Sequence, residues 1–233
     1  MNKRATKYSK EDIVNECKMA FGDKSKFYEA KFLCRTGKTR DRKEYISEII
    51  AEYILDNLDA FSAGIHPLKR TKSYKPDGHD GDYSMDTVKE KIIAKKLYCS
   101  NRNYPCIGRV IDYEIPLSMV GKTNIDLISY DGNTLHLLEL KEPDNKRETM
   151  LRCVLEGYTY LRFLDKSKLL EDYNLPSDTL IQASPLVFKG GEQWEEYKDN
   201  RQHLLKLMEK LDSTPYFIEE QNGAYNVFSE REE

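Results

Sequence analysis

"NIDLISYDGNTLHLLELK", residues 124–141, puts Asp126 inside an apolar run and sets Glu139 and Lys141 at the end of a second one. Charges in what reads as a sheet core need a physical reason. Asp131-Gly132-Asn133-Thr134 is a tight-turn sequence, with glycine available for a positive φ, so the stretch reads as a hairpin. If Gly132 and Asn133 form the loop, 131 faces 134, 130 faces 135, 128 faces 137 and 126 faces 139. Asp126 and Glu139 then become cross-strand neighbours with Cβ atoms roughly 4.5–5.5 Å apart. Lys141, two residues past Glu139, falls on the same face. Ile125, Leu127, Leu138 and Leu140 are expected on the opposite face, along with His136 as a packing or surface residue.

Two adjacent carboxylates repel each other and are costly to bury unpaired. A divalent cation with hard oxygen ligands, Mg²⁺ or Mn²⁺, relieves that repulsion. The lysine beside it would neutralise residual charge, hold a water or stabilise a developing oxyanion. The plainer alternative is a surface network in which Lys141 merely pairs with Glu139. Apolar residues on both faces of the strands imply cover on both sides, which favours a site.

Outward from the hairpin, the pattern alternates between helix and strand. Ser9 and Asp12 cap an amphipathic helix, and a short helix is expected over 26–34. A longer one over about 42–60 carries the stripe Ile46, Ile49, Ile50, Tyr53, Ile54 and Leu58. "HPLKRTKSYKPDGHDGDYS" (66–84) reads as a loop or lid. Helical spacing returns at Met85, Val88, Ile92, Ile93 and Leu97 with Ser84 as cap, and the β-rich run 108–118 follows. After the hairpin come a helix over about 147–164, a strand in 179–188, a helix over 192–211 and a terminal hairpin turning at Asn222-Gly223. The order from Ser84 to Phe188 is α-β-β-β-α-β, so the predicted class is α/β, a mixed central sheet flanked by helices. Residues 1–83 are expected as a helical N-terminal extension and 84–233 as the α/β core.

The chain has 233 residues, 39% hydrophobic and 33% charged, which suits a soluble globular protein. No apolar run approaches the roughly 18 residues of a membrane span, and no secretory signal is apparent. Five scattered cysteines without a C-x-x-C pair point to a reducing, cytoplasmic setting and to neither a disulfide framework nor a zinc site. The net charge of -3 hides an asymmetry: residues 1–43 carry 13 Lys/Arg against 6 Asp/Glu, and residues 191–233 carry 5 against 11. A basic N-terminal segment suits a polyanion, or is simply a solvated basic surface.

Asp126 and Glu139-Leu140-Lys141, in this element order, resemble the PD-(D/E)xK nuclease superfamily with its restriction-endonuclease-like fold. The resemblance covers rather under half of the chain, and Ile125 stands where the family motif has proline. It implies that Asp126, Glu139 and the Leu140 carbonyl hold Mg²⁺ or Mn²⁺, that Lys141 orients the nucleophile, and that a glutamate on the preceding helix assists. Glu90 occupies that place, although Thr87 and Glu90 also form a T-x-x-E capping box. Glu48 and Glu52 are rivals on the earlier helix. On the helix after the hairpin, Arg152, Glu156 and Tyr160 are spaced by four and share a face. Glu156 stands where some members have a glutamine, and Arg152 is either a phosphate contact or a surface partner of Glu156. Lys69, Arg70, Lys72 and Lys75 are further candidates for nucleic-acid contacts.

The expected activity is metal-dependent cleavage of nucleic acid, DNA above RNA, with a homodimer possible. Two alternatives stay open: an inactive nucleic-acid-binding or interaction module on the same fold, and a scaffold recruiting a protein partner through its acidic C-terminal part. Other patterns fail. Gly37-Lys38-Thr39 and Gly121-Lys122-Thr123 lack the glycine of a phosphate loop. Asp77, His79, Asp80 and Asp82 do not have calcium-loop spacing.

Overall fold

Asp131 builds the turn that sets the register of the sheet. Its Oδ1 accepts the N–H groups of Asn133 (2.8 Å) and Thr134 (2.7 Å), and Gly132 takes φ 105°. The flanking strands are β3 (Asn124–Tyr130) and β4 (Thr134–Leu140) in a computed structural model that describes residues 6–79, 81–117 and 123–230. Asp80 and the Gly121-Lys122 pair lie outside the described residues. Tyr130 faces Leu135 and Ile128 faces Leu137, as the two-residue loop requires, and the paired ladder ends at Leu127–Leu138.

The protein is α/β. Seven strands form one mixed sheet in sequential order: β1 (Asn103–Tyr104), β2 (Gly108–Pro116), β3, β4, β5 (Leu180–Phe188), β6 (Tyr216–Gln221) and β7 (Ala224–Phe228). The β4–β5 and β5–β6 pairs are parallel and the others antiparallel. The parallel β4–β5 pair needs a crossover, supplied by α5 (Met150–Phe163) and α6 (Lys166–Asp172). The terminal hairpin turns at Asn222 (φ 53°) and Gly223 (φ 78°), the two positive φ values of a twist-compatible tight turn. The edge strands β1 and β7 approach each other, so the twisted sheet curves around the face that carries α4 (Lys89–Cys99).

Alternation along the hairpin holds with one exception. Leu127, Leu138 and Leu140 pack with Ile93, Ala94 and Leu97 of α4, as expected. Ile125 instead joins the cluster on the other face, together with its β2 partner Ile115. Glu114 beside Ile115 has φ 47°, a left-handed residue that interrupts the two-residue period at that level.

Several helices differ from their sequence patterns. The one expected over 42–60 is two, α2 (Ile46–Asp56) and α3 (Leu58–Ala63), and the Asn57 side chain between them donates to the Tyr53 carbonyl (2.8 Å). Two 3₁₀ turns occupy 24–34, after α1 (Lys10–Ala20) with its Ser9–Asp12 capping box. The helix expected over 192–211 divides into α7 (Glu192–Lys198) and α8 (Gln202–Lys210) around Asn200, φ 53°. α4 begins only at Lys89, with Val88 as N-cap and no side-chain cap, so the Thr87–Glu90 box does not form.

Residues before 84 share one buried cluster with later ones: Ile13, Phe27 and Ile50 pack with Leu155, Leu204 and Phe217. A buried ion pair ties this layer together. Arg201 (3% exposed) binds Glu196 (1%) at 2.6 Å and the Ser47 hydroxyl at 2.7 Å, while Glu196 accepts the Met150 N–H at 2.8 Å. One guanidinium thereby joins α2, α7, α8 and the start of α5. Arg201→Ala, which leaves Glu196 buried without its cation, should lower the unfolding free energy by about 3–5 kcal/mol, read from urea titration.

Candidate functional site

The sheet opens where the ladder of β3 and β4 stops. There the Asp126 Oδ2 accepts the Leu140 N–H at 2.8 Å, in place of a strand carbonyl. This holds Asp126 against the segment that carries Glu139 and Lys141, both only 5% exposed. The Lys141 ammonium lies 2.6 Å from Glu139, 3.1 Å from Glu148 and 3.8 Å from Glu156. Sheet and helix thus converge on one amine.

The helix contribution comes from α5, whose Thr149 N-cap hydroxyl accepts the Arg152 N–H. Glu148, Arg152, Glu156 and Tyr160 follow at intervals of four and line one stripe facing the hairpin. Arg152 pairs with Glu148 (3.1 Å), lies 3.9 Å from Glu156 and reaches the Cys34 sulfur (3.0 Å). Tyr160 donates to Glu156 Oε1 (2.8 Å), and Glu156 Oε2 is buried without a hydrogen-bond partner. Glu90, in the first turn of α4, accepts the Glu142 N–H at 3.4 Å and feels the charge of Lys141.

Five carboxylates (Glu90, Asp126, Glu139, Glu148, Glu156) therefore surround two cations, Lys141 and Arg152. Burial pushes the Asp126 carboxyl up to about 7, with Glu90 and Glu156 adding to the effect and Lys141 opposing it. Burial also raises Glu139 well above the usual carboxylate range, reinforced by Asp126 and Glu156. Glu90 is raised too, chiefly by burial. Glu148 is lowered: Lys141 and Arg152 outweigh its burial. Burial alone would lower Lys141, but Glu139, Cys153, Glu156 and Asp126 hold it well above its ordinary value. The cluster carries negative charge in excess of its cations.

Beside it lies a groove of about 810 Å³, lined by Glu90, Lys141 and Glu148 and by Lys89, Lys146, Arg147 and Arg152. Lys89 pairs across it with Asp144 at 3.0 Å. Hard oxygen donors and the unpartnered Glu156 oxygen suit a divalent cation. Among the described residues, however, no three His, Cys, Asp or Glu side chains stand close enough to hold one as they are. The Lys141 ammonium occupies the position between Glu139, Glu148 and Glu156.

Of the residues expected from sequence, Asp126, Glu139, Leu140, Lys141, Glu90, Arg152, Glu156 and Tyr160 meet here. Glu48 and Glu52 do not: Glu48 accepts the His203 and Leu204 N–H groups at the start of α8, and Glu52 pairs with Lys10 (3.1 Å). The 69–75 segment also lies elsewhere. Leu68 bonds to Phe163 at the far end of α5 and Tyr74 to Asp172 of α6, about 20 Å of helix from the groove. Arg70 is 8% exposed, donates to the Ser73 carbonyl and covers the Tyr74 ring at 4.5 Å, so it is turned into its own loop. His79 likewise binds Asp112 (2.7 Å) and stacks on Tyr113. Glu148 was missed by the sequence reading, although it continues the spacing of four one step back from Arg152.

No protein-family model matches the chain, and no curated protein or solved structure matches it either. Among the described residues, no helix is long and apolar enough to cross a membrane, and all five cysteines are free.

The folded Asp126 carboxyl keeps its proton to about pH 7, whereas the unfolded one releases it near 3.8, so the native state loses stability as pH rises through that window. In chelator, Asp126→Asn should therefore raise Tm by roughly 2–4 °C at pH 8, as expected for about 1 kcal/mol, and by less than half as much at pH 5, which lies only about a third of the way through the window. Differential scanning calorimetry at the two pH values reads the difference.

Proposed function

We propose that the protein is a divalent-metal-dependent nuclease of the PD-(D/E)xK type, hydrolysing phosphodiester bonds, most simply in DNA. The observation that carries this reading is the meeting of Asp126, Glu139 and Lys141 at the open end of β3 and β4, beside a groove in which the cations Lys89, Lys141, Lys146, Arg147 and Arg152 alternate with the carboxylates Glu90, Glu142, Asp144 and Glu148. The order α4-β1-β2-β3-β4-α5-α6-β5, in which β1 is only two residues long and α6 extends the crossover begun by α5, supports a restriction-endonuclease-like core.

Asp126 and Glu139, with the Leu140 carbonyl and Glu90, would hold Mg²⁺ or Mn²⁺. Such an ion, when bound, polarises a phosphate and lowers the pKa of a coordinated water. Lys141, fixed by Glu139, Glu148 and Glu156, presents its ammonium where a nucleophilic water and a phosphoryl oxygen need orientation and charge compensation. Glu148 and Glu156 act through Lys141 as positioning residues, and Tyr160 fixes Glu156. Arg152, Lys146 and Arg147 face the strand as phosphate contacts.

The ammonium among the acids favours a second reading, a binding module whose lysine permanently takes the place of the metal. Calorimetry with Mn²⁺ separates the two: the nuclease binds Mn²⁺ and loses it in Asp126→Asn, whereas the binding module shows no such heat. Linear, circular and single-stranded DNA should be cut with Mn²⁺ and spared in chelator. Lys141→Gln should lower cleavage at least 10³-fold while leaving DNA affinity in chelator within twofold. Unchanged turnover in that variant would discard the mechanism.

A further inference from the structure

The exposed flank of α4 leads away from the groove to a second, aromatic pocket. Lys89 lines the groove and Lys96 lines a pocket of about 440 Å³ with Tyr83, Cys99, Ser100, Arg102, Tyr104 and Tyr225. The two lysines are seven residues apart, two turns along one helix face and about 10 Å in distance. The Lys96 ammonium lies 5.9 Å from the centre of the Tyr83 ring and 5.8 Å from that of Tyr225. Arg102 lies over Tyr104 at 5.6 Å and donates to the Tyr225 carbonyl at 2.9 Å. Among the described residues no carboxylate lines this pocket, although Glu220 stands across the terminal hairpin from Tyr225.

The segment between groove and pocket is unusually apolar for a surface. Tyr83 is 40% exposed, Met85 90% and Val88 58%, and Val88 itself lines the groove. Buried packing explains none of the three. Lys91 and Lys95 on the same helix are paired with Glu114 and Asp86, and Lys89 with Asp144, so Lys96 and Arg102 are the cations at the pocket end of this path and Lys89, at the groove end, would exchange its carboxylate for a phosphate. Apolar and aromatic faces interleaved with positive charge are what an unpaired nucleic-acid strand requires: flat bases stack on rings while phosphates follow the cations. A base-paired duplex hides its base faces and gains nothing from Tyr83 or Met85.

We infer that the Tyr83–Val88 segment and the Tyr83/Lys96/Arg102/Tyr225 pocket form a binding track for a single strand leading to or from the groove, so that the substrate is DNA with an unpaired arm. The substrate class rests on the nuclease reading; the binding itself does not. The test is fluorescence anisotropy in chelator with the full chain, a labelled 20-nucleotide single strand and the blunt duplex of the same sequence. The single strand should bind more tightly than the duplex, and Tyr83→Ala should weaken it at least fivefold while duplex affinity moves less than twofold. Tyr83 is exposed, so this variant should fold, checked by circular dichroism. Tyr225→Ala, which also loses a contact with Phe188, serves as the second variant. Equal or tighter duplex binding, absent single-strand binding, or single-strand affinity within twofold in both variants overturns the inference. Cleavage with Mn²⁺ is read separately on the same oligonucleotides. Tyr83-dependent binding without cleavage retains the track and removes the nuclease; cleavage without Tyr83 dependence does the reverse.

Discussion

Glu139 can remain buried beside Asp126 because the Lys141 ammonium stands 2.6 Å away, and the surrounding architecture depends on that contact. An amine so deep needs more than one counter-charge; Glu148, just before the N-cap of α5, and Glu156 within it supply them. Those glutamates need their own partners, Arg152 for the first and Tyr160 for the second. The requirements pass outward from the hairpin to the helix, so the crossover between β4 and β5 is held by electrostatics as well as by the apolar contacts of Leu151, Val154 and Leu155. Even so the account does not balance: Asp126 and Glu139 both retain protons above their ordinary range. In the proposed nuclease reading, a divalent cation would take the place of those protons.

The protein also separates two kinds of buried ion pair. Arg201 with Glu196 links helices of the layer that covers one face of the sheet, with Ser47, Asp199 and the Met150 N–H as further partners. Lys141 with Glu139 borders a groove and contains an acceptor without a hydrogen bond, Glu156 Oε2. Burial alone does not tell them apart. Adjacency to open space does.

Surface charge divides in the same way. Arg70 belongs to a basic run, yet it lies over Tyr74 and bonds within its own loop. Lys89, Lys146 and Arg147 are unremarkable in sequence but gather at the groove because α4 and the 141–149 loop both end there. A run of cations along the chain therefore says less about a polyanion site than their convergence does.

The hairpin register was legible in the sequence because a two-residue loop and a period of two leave little freedom, and Asp131 and Gly132 have the turn chemistry to enforce it. The stripe Arg152–Glu156–Tyr160 was legible for the same reason, being a helical period. Sequence periodicity did not show that α4 starts at Lys89, that Asn57 and Asn200 break longer helical patterns, or that Ile125 changes face. Each depends on local backbone choices in which side-chain hydrogen bonds or a left-handed residue such as Glu114 overrule propensity. Local pattern thus fixed which residues share a strand face or a helix stripe, since the peptide geometry alone determines that. Only the tertiary structure decided that Glu148 and Glu90 join the lysine, that the 69–75 segment stays away, and that the edges of the sheet draw Tyr225 towards α4. Those are distances between segments remote in the chain, set by how the two faces of the sheet are covered.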